Sequence, residues 1–78
     1  ADEPLWQALR ARRSKLAKEQ GVPPYVIFHD STLIDMVMRQ PQNLQEMSAV
    51  AGIGESKLAR YGEAFLAVIL DQSYPVMG

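Results

Sequence analysis

The sequence predicts an all-α fold, a compact bundle of four to five short helices in a single domain. Three observations lead there. Apolar residues recur at three- and four-residue spacing through three long stretches, as amphipathic helices require. Prolines and glycines stand mostly between those stretches rather than within them. The one run with strand propensity, Tyr25-Val-Ile-Phe28, has no second run to pair with. The 78 residues suffice for one small domain, with a core over about residues 4–70.

The first helix is predicted over about residues 4–20. Pro4 suits a first helical position behind the acidic Asp2 and Glu3, and Gly21 with Pro23 stops it. Leu5, Leu9, Leu16 and Gln20 form its inner stripe, Trp6, Arg13 and Ala17 flank it, and Arg10, Ser14, Lys15 and Lys18 point outward. Pro23 and Pro24 then impose a stiff turn into a short helix through Phe28. Asp30 or Ser31 caps the next helix, whose stripe is Leu33, Ile34, Val37 and Met38, and Pro41 ends it. Asn43 with Glu46 resembles a capping box opening a short helix to about Val50. The last helix runs from about Glu55 to Leu70 on Leu58, Tyr61, Phe65, Leu66 and Ile69. Gly62 in its middle suggests another backbone packed close against it. The tail from Ser73 has no periodicity, and Tyr74 and Val76 are its docking candidates.

Between the last two helices lies Gly52-Ile53-Gly54. Gly52 suits a left-handed helix closure, Gly54 a second bend, and Ile53 plugs the joint. The pattern looks like a helix-hairpin-helix, whose turn amides can meet a DNA phosphate. It fits equally a glycine-closed corner that only organises the bundle.

Composition narrows the function. There is no cysteine, which excludes disulfides and thiolate metal sites, and a single histidine speaks against zinc or haem. No cofactor is expected, and no membrane span or signal peptide is visible. The Ala-Asp-Glu start suggests a domain cut from a longer protein. No phosphate loop, histidine pair or nucleophile set supports catalysis. His29 beside Asp30 reads as a surface or capping residue. The net charge of −1 does not announce a nucleic-acid binder, yet the sign is uneven. Five of the eight basic residues, Arg10, Arg12, Arg13, Lys15 and Lys18, lie in the first helix.

Taken together, Leu9-Arg10-x-x-Arg13-x-x-Leu16-Ala17, Gly21-Val-Pro-Pro-Tyr-Val-Ile-Phe28, Asp30-x-Thr32-Leu33, Pro41, Gly52-Ile-Gly54-x-x-Lys57-Leu58 and Tyr61-Gly62-x-x-Phe65-Leu66 resemble the HRDC (helicase and RNase D C-terminal) domain over about residues 4–70. The Val-Pro-Pro-Tyr-Val-Ile-Phe wording is most similar to the version at the C-terminus of bacterial RecQ-type DNA helicases. The resemblance implies a non-catalytic helical bundle that binds nucleic acid or protein and tunes the substrate choice of an ATP-dependent helicase working in DNA repair and recombination. It implies a cytoplasmic, nucleoid-associated place in a bacterium, or a nuclear one in a eukaryote.

The residues then suggest where DNA would meet it. Tyr25, after two prolines, could stack a base of single-stranded or partially single-stranded DNA, or pack on the bundle with only its hydroxyl wet. Lys15 and Lys18 could hold phosphates beside it, with Arg39 as a further contact, or merely solubilise a helix face. Arg13 reads as structural, paired with Asp30 or another acid, and Trp6 as core. The rival site is the hairpin: Gly52, Gly54, Lys57 and Arg60. Glu55 and Glu63 weaken its potential, so the Tyr25 corner is favoured. Two other functions compete, docking of the domain, as a monomer, onto the helicase core or another protein, and RNA binding in a relative of RNase D.

Overall fold

The computed structural model describes residues 3–73, so Tyr74 and Val76 lie outside the described residues. Five helices form among the described residues: α1 (Glu3–Gln20), α2 (Pro24–Ile27), α3 (Asp30–Arg39), α4 (Leu44–Met47) and α5 (Glu55–Ser73). They contain no strand. Tyr25-Val-Ile-Phe28 is one helical turn and its cap, so its β-propensity yields to the prolines before it.

α1 closes as its Gly21 foretells. The amides of Val22 and Gly21 bond the carbonyls of Ala17 and Lys18 at 3.0 and 3.3 Å, a Schellman closure around a left-handed glycine. Its buried stripe is Leu5, Leu9, Arg13 and Ala17, spaced by four throughout. This corrects the predicted stripe, because Leu16 is only half-buried and Gln20 is exposed. The arginine can occupy the inner face because polar partners meet its head there, as described below.

α3 is rotated from its predicted setting. Thr32, Leu33 and Met36 are buried, while Ile34 and Met38 are 48% and 78% exposed. At 100° per residue the two sets lie on opposite sides of the helix. Its N-cap is His29, not Asp30 or Ser31. α4 is shorter than predicted. Asn43 Oδ1 accepts from the Glu46 amide at 2.8 Å, and Glu46 Oε1 in return accepts from the Gln42 amide, one residue earlier than a capping box requires. After Met47 the chain continues as turns, with Ala49 and Val50 amides reaching back only three residues. α5 runs three residues past its predicted end, to Ser73.

The hairpin glycines differ. Gly52 has φ +84°, and a Cβ there would run into Thr32 Oγ1. Gly54 has no positive φ, and a Cβ there would meet open space, so it needs no special conformation. The close neighbours of Gly62 are side chains rather than a backbone: a Cβ would stand 3.0 Å from Leu58 Cδ1 and 3.2 Å from Leu44 Cδ2. Ile53 packs half-buried on the core as expected.

α1 and α5 run antiparallel. The Tyr61 hydroxyl donates to Gln20 Oε1 at 2.9 Å, joining the start of α5 to the end of α1. Ala8, Ala11, Ala67, Val68 and Gln72 line a shared groove toward their other ends. α2 and α3 pack on α1, and α4 packs on α5. Phe28 sits where these elements meet, edge-on to Phe65 with ring centroids 5.0 Å apart and to Tyr61 at 6.0 Å. It is a ring whose loss would leave a cavity at the centre of the core.

Candidate nucleic-acid interface

α2 has one turn in which to divide four residues between core and solvent. Pro23 at the N-cap and Pro24 at the first helical position set φ before the turn begins. Ile27 and Phe28 plunge into the core, and their anchoring leaves Tyr25 and Val26 outside. Tyr25 is 60% exposed, the most exposed of the aromatic residues Tyr25, Phe28, Tyr61 and Phe65. His29, also exposed, follows, and its ring stacks on Tyr25 with centroids 6.0 Å apart and planes inclined by 23°.

Arg13 holds this corner from beneath. Its Nη1 donates to the Phe28 carbonyl at 3.0 Å and lies 2.7 Å from Asp30 Oδ1. The partner named from sequence is therefore the observed one. Arg13 is buried, whereas the Asp30 side chain is 70% exposed. Its Nε has no hydrogen-bond partner. One buried guanidinium thus ties α1 to the two residues that flank His29.

The predicted basic contacts are dispersed. Lys18 is exposed in the last turn of α1, at the end from which Gly21 and the two prolines lead to Tyr25. Lys15 is exposed beside the groove of about 550 Å³ between α1 and α5, with Arg12 and Asp71. Arg39 stands at the far end of α3 from Tyr25, roughly 15 Å along a helix of that length. Its Nε donates to Asp35 Oδ2 at 2.8 Å, and it borders a shallow depression with Pro41, Glu46 and Ala49. The structure therefore does not bring Arg39 to the Tyr25 corner.

The two hairpin cations behave differently from each other. Arg60 lies over the Tyr61 ring, 5.3 Å from its centroid. Lys57 is half-buried with its ammonium 5.7 Å from the centroid of Phe28. That places a hairpin cation against the residue that anchors Tyr25, so the two candidate surfaces adjoin. Gly52 and Gly54 lie in the turn before α5, with the Gly54 carbonyl accepting from Leu58 at 2.9 Å.

Asp35 ties the hairpin to α3. Its Oδ2 accepts from the Ala51 amide and from Arg39 Nε, both at 2.8 Å. The Ala51 hydrogen bond first, and Arg39 second, hold its carboxyl below the ordinary aspartate value. Trp6 is half-buried on the core and carries the Arg10 guanidinium 5.6 Å over its ring, in keeping with a packing role.

Chemically the corner offers two exposed aromatic rings, Tyr25 and His29, with Lys57 against the Phe28 ring that lies between them in sequence. The sequence reading missed His29 as part of it. No helical spacing signals it, because Phe28 and His29 are extended backbone between α2 and α3, and that turn is what brings the His29 ring to Tyr25. Among the described residues no group of three or more His, Asp or Glu side chains could hold a metal ion. No helix among them is long and apolar enough to cross a membrane.

Comparison with known proteins gives a consistent picture. The family model described as HRDC domain matches residues 2–69. The chain is 45% identical over 76 residues to the ATP-dependent DNA helicase RecQ of Bacillus subtilis, covering 97% of this chain and 12% of that protein. It is 41% identical over 68 residues to the ATP-dependent DNA helicase UvrD2 of Mycobacterium tuberculosis, covering 87% of this chain and 10% of that one. Among solved structures, D. radiodurans RecQ HRDC domain 3 superposes with a TM-score of 0.87 at 38% identity, covering 91% of this chain and 93% of that one. The chain thus spans about an eighth of the length of the RecQ relative it matches.

Proposed function

The chain belongs to the HRDC domain family, and from that premise we propose that it is the single-stranded-DNA-binding accessory module of a RecQ-like, ATP-dependent DNA helicase. The observation that carries this reading is Tyr25, held 60% exposed on a turn that Ile27 and Phe28 anchor in the core. A base that stacks on such a ring gains roughly 1–3 kcal/mol without regard to sequence. Lys18, in the last turn of α1, would meet the phosphate next to it, with Lys15 one turn further back. The helicase core would supply ATP hydrolysis and strand separation. The domain is non-catalytic in this scheme and raises the local concentration of single strand near the motor, so that weak binding suffices to bias which substrates are unwound. Work at DNA in the bacterial cytoplasm, in repair and recombination, follows from that assignment. The relatives named above are DNA helicases, which favours a DNA-processing parent over an RNase D relative.

An amide chemical-shift map with a short single-stranded oligonucleotide tests the site. The reading expects the largest changes at residues 23–29 and at Lys18, with Tyr25→Ala weakening binding several-fold and leaving helicity intact. Changes confined to residues 52–60 would move the site to the hairpin and overturn it.

A second reading has its own observation. Ile34 and Met38, four residues apart on α3, expose an apolar strip on the outer face. A strip of this kind suits docking onto the parent's helicase core. Ile34→Ser with Met38→Ser would then alter unwinding by the full-length helicase while leaving DNA binding by the domain unchanged.

A further inference from the structure

Tyr25 shares its corner with a second ring, and the local chemistry at that ring is unusual. His29 occupies the N-cap of α3, a position where Ser, Asp or Asn would accept an amide and where the imidazole makes no side-chain cap bond. The sequence thus forgoes a favourable local interaction and gains an exposed aromatic face there. Such departures from local preference concentrate at functional positions. The backbone around it is fixed from both sides: Phe28 is buried with its carbonyl held by Arg13, and Asp30 is paired with the same guanidinium. With residues 28 and 30 held, the ring of His29 projects in a defined place, 6.0 Å from Tyr25 and nearly parallel to it. Fixing a contact surface before binding lowers the ordering cost of association.

We propose that His29 is a second base-stacking residue, which with Tyr25 makes a two-ring platform for adjacent nucleotides of a single strand. The proposal rests on the Tyr25 reading above and extends it from one nucleotide to two. Arg13 acts as the positioning residue of the platform. Its buried charge offsets the carboxylate of Asp30, so the acid beside His29 does not repel the phosphates.

The test uses four variants of the 78-residue chain, with binding to a fluorescently labelled oligothymidine read by anisotropy. His29→Ala should weaken binding by about fivefold or more, the lower end of what one stacked base contributes. His29→Phe should stay within about twofold of the parent chain, since it keeps a ring. His29→Ser should bind as weakly as His29→Ala while melting no earlier than the parent, because serine restores a cap; unfolding is then excluded as the cause. In the parent chain the ring protons of His29 should shift upfield on titration with the oligonucleotide, as they do under a base. Full-strength binding by His29→Ala alongside weakened Tyr25→Ala overturns the platform and leaves the Tyr25 site standing. Equal weakening of His29→Phe and His29→Ala also overturns it, since the contribution would then come from hydrogen bonding or charge. Undiminished binding by Tyr25→Ala overturns the site itself.

Discussion

At Gly52 the backbone stands at φ +84° with Thr32 Oγ1 in the place a β-carbon would take, and two residues on, at Gly54, neither condition holds. The same substitution at the two positions should therefore separate them. Gly52→Ser is expected to cost about 1–3 kcal/mol for a side chain forced into the left-handed region. In a domain of this size that lowers the melting temperature by roughly 4–8 °C for each kcal/mol. Gly54→Ser should leave it unchanged or raise it, since the Gly54 carbonyl already accepts the first bond of α5 and serine caps well. Thermal melts followed by circular dichroism read both. The pair also shows what sequence can and cannot convey at this scale. Two glycines one residue apart announce a turn, but they do not say which one is required. That depends on Thr32, brought to the turn by the fold. Arg13 was legible in its partner and not in its depth: a basic residue reads as an edge until the carbonyl and carboxylate that satisfy it are in place.

Between elements, a single carboxylate joins α3 to the turn before α5. Asp35 accepts from the Ala51 amide and from Arg39, and both interactions favour its ionised form. Its pKa is thus lower folded than unfolded, and its contribution to stability is complete above the unfolded value near 3.8 and lost as the pH falls through the folded one. Urea unfolding at a series of pH values should show this as a decline confined to the acid side. Asp35→Asn should be less stable at neutral pH, with the difference from the parent shrinking as both are taken below that range. Helix limits were legible here because prolines and capping residues write them directly: Pro4, Gly21, Pro41 and Asn43 all stand where helices start or stop. The facing of α3 was not. In ten residues a 3.6-residue period leaves two apolar arcs available, Leu33 with Met36 or Ile34 with Met38, and the choice falls to what α1 and the Gly52 turn present to it.

For the molecule as a whole, charge sets the strength and salt response of binding. With a net charge of −1 and few cations in the proposed site, Lys18 and Lys15 on α1 with Lys57 at the hairpin, binding would neutralise two or three phosphates. Each contributes a slope of about −0.7 in log K against log salt on a single strand. The chain should therefore show a shallow slope of about −1.4 to −2.1. Lys18→Ala should flatten it by about 0.7 while leaving the melting temperature unchanged. Titrations of anisotropy at several salt concentrations measure both. The bundle as a class was legible in the sequence, since apolar spacing and the absence of a paired strand are both local. The meeting of the two candidate surfaces was not, because Lys57 and Phe28 are neighbours only through the fold.

The antiparallel pairing of α1 with α5 bears on how the chain comes to be folded while it is being made. Leu5 and Leu9 are translated about fifty residues before Tyr61 to Ile69, which share their core. At about 5–20 residues per second, synthesis leaves the apolar stripe of α1 waiting for several seconds. Phe28 waits for Tyr61 and Phe65 in the same way. The core therefore closes only when its last helix leaves the ribosome, and a nascent chain stalled before Tyr61 would present those side chains to chaperones and to other chains.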